Sequence, residues 1–294
     1  MRNIRRRAEI TASVRRFFVE KGYLEVETPI WCEAPIPEAH IDPFEAEGGY
    51  LQASPELYMK RLLAAGSGPI FQITKAFRKG ERGAKHVPEM TMLEWYTPDA
   101  DYTALMEDCQ GLFRAIAGEL GMGHTLDVNG KGVRLEKPWR RLSVKEAYAL
   151  YGSCSMDEAL ALDRFDEIMG LEVEPKLCGE TPVILYDYPA PMGALARKKA
   201  SDASVAERFE LYVEGLELAN GFTELIDPIE QRQRFEEEVG LRKKLGKPTW
   251  PLPESFLKDL ANMPPTAGIA LGMDRLAMLF CGADTIDDVL TFTH

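Results

Sequence analysis

Arg78 follows Phe77 and precedes, by eight residues, the run His86-Val87-Pro88-Glu89-Met90-Thr91-Met92-Leu93-Glu94-Trp95-Tyr96. An arginine fork clamps phosphate and carboxylate oxygens. Glu94 stands among Met, Leu, Trp and Tyr, where an unpaired carboxylate is costly, so this acid calls for a cation. A second pair of acids, Glu210 and Glu217, flanks the turn at Gly215. Carboxylates on neighbouring strands can hold Mg²⁺ that bridges nucleotide phosphates. A third constellation runs Gly268-Ile-Ala-Leu-Gly-Met-Asp-Arg-Leu-Ala-Met-Leu. There a strand passes through Gly272 into a helix whose first turn offers N–H groups and Arg275 to an anion.

Other routes to that chemistry are missing. No GxGxxG follows a strand, and Gly240-Leu-Arg-Lys-Lys-Leu-Gly-Lys misses the phosphate-loop spacing by one residue and lacks its Ser or Thr. If the chain binds ATP, it must do so on a sheet surface beside arginines. The cysteines at 32, 109, 154, 178 and 281 form no CxxC pair and are odd in number, which argues against a disulfide framework. A reducing cytoplasm is the expected home. His40, His86, His124 and His294 have no zinc-ligand spacing. No run of 18 apolar residues exists to span a membrane, and the basic Arg2, Arg5, Arg6 and Arg7 precede no apolar signal stretch. A net charge of −12 disfavours broad nucleic-acid binding. The basic runs Arg5 to Arg16 and Arg197 to Lys199 read as solvated surface.

The elements that must position these residues follow from periodicity. Residues 4–21 read as a helix, with Ile10, Val14 and Phe17 at helical spacing and Gly22 at the stop. Leu24–Ile30 reads as a strand. Ser54 reads as the N-cap of a helix with Pro55 in its first position and Gly66 at its end. Ile70–Arg78 and Glu89–Tyr96 alternate as two strands of an antiparallel hairpin, and the polar loop 79–88 between them is functional. Residues 102–120 are helical, and Ser143 with Glu146 forms a capping box. The stretch 141–182 reads as small helices, and 120–180 as an insertion. Val183–Tyr188, Arg208–Val213, Leu216–Ala219 and Gly268–Leu271 are strands; helices follow at 228–246 and 273–281. Hairpin strands with grouped helices mean an α+β fold with an antiparallel sheet. The 294 residues allow one domain.

With these segments in order, the chain resembles the class II aminoacyl-tRNA synthetases, in their lysyl branch. Glu25-Val-Glu-Thr-Pro29 looks like motif 1, the block from Phe77 like motif 2, and Gly272-Met-Asp-Arg275 like motif 3. Ser54-Pro-Glu-Leu-Tyr-Met-Lys-Arg61 and Asn220-Gly-Phe-Thr-Glu224 resemble the lysine-specific segments. The resemblance implies ATP, Mg²⁺ and an aminoacyl-adenylate. Arg78 and Arg275 would be catalytic: Arg78 on the α-phosphate and substrate carboxylate, Arg275 with His86 on the outer phosphates. Lys79, Gly80, Val87, Met90, Leu218 and Gly272 would complete the ATP site, with Met90 over the adenine and Glu210 and Glu217 on Mg²⁺. Ser54, Pro55, Glu56, Asn220 and Ala270 would line the substrate site. Glu56 would meet the backbone-side amine, and Glu94, Tyr96 and Glu224 the side-chain ammonium. Motif 1 implies a homodimer.

About 24 residues precede motif 1, too few for the anticodon-binding domain of lysyl-tRNA synthetases. That organisation resembles the elongation factor P lysyltransferases, and implies transfer of lysine or β-lysine to a lysine of elongation factor P, with no tRNA. Ala270 stands where lysyl-tRNA synthetases usually have Gly, and its methyl reshapes the pocket near the amine, as suits β-lysine. Three positions depart from the motif 2 pattern: Gly80 for Glu, Val87 for Asn and Met90 for the adenine-stacking Phe, although Met also covers a ring face by dispersion. A charging enzyme acting on tRNA or a small acceptor, and a non-catalytic regulatory relative, are the alternatives.

Overall fold

The computed structural model describes residues 1–128 and 130–293, so His294 lies outside the described residues. Among the described residues the main sheet has nine strands, eight of them on one continuous path. In chain order they are β1 (Leu24–Glu25), β2 (Ile70–Phe77), β3 (Glu89–Pro98) and β4 (Arg140–Ser143). Then come β5 (Val183–Pro189), β6 (Asp202–Val213), β7 (Leu216–Thr223) and β8 (Thr266–Gly272). Their spatial order is β1-β2-β3-β8-β7-β6-β5-β4, and Lys198–Lys199 pairs with β6 off this path. The six middle strands are antiparallel, while β1 joins β2 and β4 joins β5 in parallel. The fold is α+β with a largely antiparallel sheet, and its two edges are the departure from the all-antiparallel expectation.

Alternation along the strands divides the sheet into a greasy face and a working face. Phe71, Trp95, Ile269, Leu271, Phe209 and Ala219 point into the main core. Three helices cover that side: α1 (Arg2–Glu20), α3 (Tyr102–Glu119) and α9 (Met273–Cys281), with α2 (Glu56–Ala64) elsewhere. In α1, Ile10, Val14 and Phe18 are fully buried, one turn apart each time. Phe18 stacks on Phe71 with centroids 5.0 Å apart and tilts against Trp95 at the same separation. It is thus Phe18, rather than the expected Phe17, that anchors the helix.

The opposite face carries a row of polar residues from one strand to the next. Gln72 sits opposite Glu94, Glu94 opposite Ala270, Ala270 opposite Asn220, and Asn220 opposite Glu210. The neighbouring row holds Tyr96, Gly268, Phe222 and Arg208. This register places residues far apart in sequence side by side, as the fixed two-residue period requires.

Two local expectations change. The strand expected over Leu24–Ile30 is only two residues long, extended by one further bond from Val26 N–H to the Phe71 carbonyl, 3.0 Å. Helix α2 begins one residue later than expected, with Pro55 as the flanking residue, yet the Ser54 hydroxyl still accepts from Glu56 N–H at 3.0 Å. The stretch 120–180 holds more than small helices. A hairpin, Thr125–Val128 with Lys131–Arg134, buries Leu126 and Val133 in the main core, and β4 extends the sheet. The helices α4 (Val144–Tyr151), α5 (Met156–Ala161) and α6 (Phe165–Ile168) then pack a second cluster against Val183, Leu185 and Tyr212. The Ser143–Glu146 capping box forms as expected.

Candidate active site

A cavity of about 890 Å³ lies on the working face. Into it come Ser54 and Glu56 from the start of α2, Arg78 from the end of β2, and Glu94 and Tyr96 from β3. Glu217, Leu218 and Asn220 enter from β7, Ala270 and Gly272 from β8, and Arg275 from the first turn of α9. The 79–88 loop supplies His86 and Val87, and Met90 follows at the start of β3. Helix α7 (Pro228–Lys244) closes one side through Glu238 and Leu241, while α8 (Glu254–Leu260) packs behind α2.

One end of this cavity is a buried acidic cluster. Ser54 Oγ donates to Glu94 Oε1 at 2.6 Å, and Tyr96 OH donates to Glu94 Oε2 at 2.9 Å. Burial and the neighbouring charge of Glu56 push the Glu94 carboxyl up to about 8, against those two hydrogen bonds. Glu224 is pushed to about 8 as well, by burial first, with Lys60 pulling the other way. Lys60 sits between Glu56 and Glu224, its Nζ 2.5 Å from an oxygen of each, and its side chain has no exposure. Burial opposes its charge, but Glu224 and Glu56 outweigh that and hold the ammonium above its usual range.

This arrangement corrects the expectation for Glu224. Its carboxylate faces the cavity only through the wall: it is fully enclosed, paired with Lys60, and lies beneath Gly268. A Cβ at Gly268 would come within 2.2 Å of Glu224 Oε1 and 2.3 Å of Tyr96 Cε1. Glycine is therefore what lets β8 pass over the acid. A buried carboxylate needs a cation when no substrate is present, and Lys60 is that cation.

The other end is basic. Arg78 Nε is buried without a hydrogen-bond partner among the described residues, and the one carboxylate paired with the guanidinium there is Glu81, 3.8 Å from Nη1. Arg275 donates from Nη1 to the Glu217 carbonyl at 2.8 Å and approaches Glu217 Oε2 at 3.2 Å. Its Nη2 lies 2.5 Å from His86 Nε2. Burial and the Arg275 charge lower the His86 pKa, which keeps the imidazole neutral and able to accept from Arg275.

The acid pair expected to hold Mg²⁺ is present, though unequally placed. Glu217 lines the cavity, while Glu210 is buried beside it and outside the lining. Glu210 Oε1 takes Arg208 Nη2 at 2.6 Å, and its Oε2 takes the hydroxyls of Tyr188 and Tyr212, each at 2.6 Å. Burial and then the Glu210 charge raise the Glu217 pKa, with Glu174 adding to the effect. Among the described residues no group of three or more His, Cys, Asp or Glu could hold a metal by itself. Mg²⁺ is commonly held by one or two carboxylates together with substrate phosphates; Glu217, open to the cavity, fits that pattern, whereas Glu210 would have to release a hydrogen-bond partner to join it.

Three further expected residues lie off the cavity. Pro55 is buried at the start of α2 outside the cavity lining, and Lys79 and Gly80 are exposed on the loop. Lys79 N–H bonds the Asp42 carbonyl at 2.7 Å, and Gly80 takes the left-handed φ of 84° that turns the loop. Conversely, the structure adds Lys60, Arg208 and Glu38, to which the sequence alone assigns no role. Lys60 follows Glu56 by four residues in a helix, and Arg208 precedes Glu210 by two in a strand, so both spacings offered the signal. Glu38, in a loop, offered none.

The whole chain, residues 1–294, matches the family described as tRNA synthetases class II (D, K and N). This chain belongs to that family. The synthetase-family chain is also 38% identical to the elongation factor P--(R)-beta-lysine ligase of Salmonella paratyphi B, over 99% of this chain and 94% of that protein. The proteins of the same name from Salmonella heidelberg and Salmonella schwarzengrund match with the same identity and coverage.

Proposed function

We propose that this class II chain is an ATP-dependent ligase that activates lysine or (R)-β-lysine as its adenylate and passes the acyl group to a lysine of translation elongation factor P. The observation that carries this reading is a single cavity with buried acids at one end and two guanidiniums at the other. Burial holds Glu94 and Glu224 up in the empty site, but with all three acids ionised around a bound substrate, Glu56, Glu94 and Glu224 against the one ammonium of Lys60 leave two negative charges. A diamino acid brings two ammonium groups to match them, and its carboxylate extends toward Arg78. Relatives named elongation factor P--(R)-beta-lysine ligase add the acceptor and the isomer.

In the first step the substrate carboxylate attacks the α-phosphorus of ATP, and pyrophosphate leaves. Arg78 holds the carboxylate and α-phosphate together, and Arg275 and His86 hold the outer phosphates, so catalysis is mainly positioning and charge stabilisation. Glu56 takes the backbone-side amine; Glu94 and Tyr96 take the side-chain ammonium. Lys60 and Glu224 set the charge of the wall behind them. Met90 covers the adenine. Glu217 and Glu210 are the residues that would hold Mg²⁺, which when bound supplies neutralising charge to the phosphates. Ala270, between Glu94 and Asn220 in the sheet, narrows the floor near the amine. The protein acts as a cytoplasmic homodimer.

Pyrophosphate exchange tests the adenylate step. Exchange that depends on lysine or (R)-β-lysine, and not on aspartate or asparagine, is the expected result; exchange with neither isomer refutes it. The family match supports one competing acceptor, tRNA. Label that appears on tRNA and not on elongation factor P favours that acceptor.

A further inference from the structure

Asp274 is the second residue of α9, directly before Arg275, and is almost fully buried. None of the roles above uses it. The ladder between β8 and β3 stops where Gly272 pairs with Met92, because the chain then turns into α9. The Thr91 N–H lies one residue beyond that last pair, and Asp274 Oδ2 accepts from it at 2.7 Å. A side chain thus continues the ladder past the end of the strand. The other oxygen, Oδ1, meets Arg7 of α1, whose Nη2 is 2.5 Å away. That Nη2 also donates to Thr91 Oγ1 at 3.0 Å, and Nη1 reaches the Val289 carbonyl at 3.5 Å.

These contacts join the two residues that flank the nucleotide grips. Thr91 follows Met90, which covers the adenine, and Asp274 precedes Arg275, which holds the outer phosphates. One carboxylate and one guanidinium therefore set the span between them. Arg7 does not line the cavity, so it acts on a substrate only through other residues. Asp274 does line it, but both its oxygens are engaged. A carboxylate this buried relaxes its surroundings when its cation is removed. Only the planar fork of arginine serves a carboxylate, a hydroxyl and a carbonyl together, which a lysine does not match. The amine-binding end stands apart from this junction: Ser54 and Glu56 are on α2, and Glu94 lies three residues further along β3, about 10 Å away.

We propose that Arg7, acting through Asp274, is a positioning residue of the nucleotide site that fixes the span between Met90 and Arg275. The inference rests on the ligase reading above. Its effect falls on ATP and spares the amino acid. A loss of adenine contact raises the KM for ATP, and a displaced Arg275 lowers kcat, so both appear in kcat/KM for ATP.

The test is pyrophosphate exchange by the full-length protein, with ATP and the amino acid varied in turn. It compares wild type with Arg7→Met, Arg7→Lys, Asp274→Asn and Lys21→Met. Lys21 pairs with Asp108 just past the other end of α1, so Lys21→Met loosens the same helix away from the site. Thermal unfolding is recorded for each variant, and kinetics are read well below its Tm. In Arg7→Met, kcat/KM for ATP falls about tenfold or more, as expected when a positioned group shifts by a fraction of an ångström. The KM for the amino acid at saturating ATP stays within about twofold. Asp274→Asn shows the same split, Arg7→Lys recovers part of the loss, and Lys21→Met has wild-type ATP kinetics. Should Arg7→Met unfold at the assay temperature, Arg7→Lys decides, with a several-fold loss confined to ATP. Wild-type ATP kinetics in the Arg7 variants overturn the proposal. Equal losses for both substrates, or the same loss in Lys21→Met, also overturn it, because they make Arg7 a general anchor of the helix. A wild-type protein without exchange overturns the ligase reading itself.

Discussion

Glu94 shows how one residue can favour function over stability. Its carboxyl is neutral in the empty site below about pH 8, because burial and Glu56 raise it. The folded chain then binds more protons there than the unfolded chain, so stability falls as pH rises from the unfolded pKa toward the folded one. Glu94→Gln removes that dependence while keeping partners for Ser54 and Tyr96. Its Tm should exceed the wild type by a few degrees at pH 8, with the gap narrowing toward pH 5, while lysine-dependent exchange is lost; an unchanged Tm at pH 8 contradicts this. Lys60 makes the opposite case. Lys60→Met leaves Glu224 and Glu56 without their cation and should cost about 3–5 kcal/mol in denaturant unfolding. Adding Glu224→Gln should recover part of that loss, and a purely additive double variant would show the pair to be uncoupled. Glu94 was legible in the sequence because an acid among apolar residues needs a reason to be there, Arg78 because its fork suits phosphate and carboxylate, and Arg275 because it opens a helix directly after Gly272. The pairing of Lys60 with Glu224 was not, since it depends on α2 packing over strands from the far end of the chain.

Elements matter here by the rows they bring into line. The strands with clear alternation, β2, β3, β7 and β8, were readable, and their register produced the row from Gln72 to Glu210. Strand β1 was overread because Pro29 has no N–H to pair and bonding to β2 ends at Val26. Strand β4 was missed because Arg140-Arg-Leu-Ser143 is too short and too charged to show a period. Arg242 of α7 donates to the carbonyls of Glu38 and Ile41; this clamp joins a loop to a helix, a contact no local pattern encodes. Arg242→Lys keeps the charge but loses the fork that serves several carbonyls at once. It should lower stability by about 2–4 kcal/mol and speed amide exchange at residues 35–42; unchanged exchange there would remove the clamp from the account. At β8, Gly268→Ala should abolish activity, since the added methyl has Glu224 and Tyr96 in its place.

At the scale of the whole molecule, apolar residues of the motif 1 region remain on the surface. Val19 is 60% exposed, Leu24 56%, and Ile30 and Trp31 are also exposed. The homodimer proposed above would bury these residues against a second copy. Leu24→Glu with Ile30→Glu should convert a dimer to a monomer in sedimentation velocity, and a wild type that sediments as a monomer would contradict the assembly. No helix among the described residues is long and apolar enough to cross a membrane. The overall organisation was legible because the chemical segments occur in a fixed order along the chain, whereas the outer strand and hairpin of 120–180 carry no such chemistry.

The most direct test is the intact mass of elongation factor P after incubation with the protein, ATP, Mg²⁺ and either lysine or (R)-β-lysine. A gain of one lysyl or β-lysyl group on a single lysine side chain, absent without ATP and absent with Arg78→Ala, is the expected result. An unmodified factor in the presence of both isomers, alongside acylated tRNA in a parallel reaction, would contradict the ligase assignment.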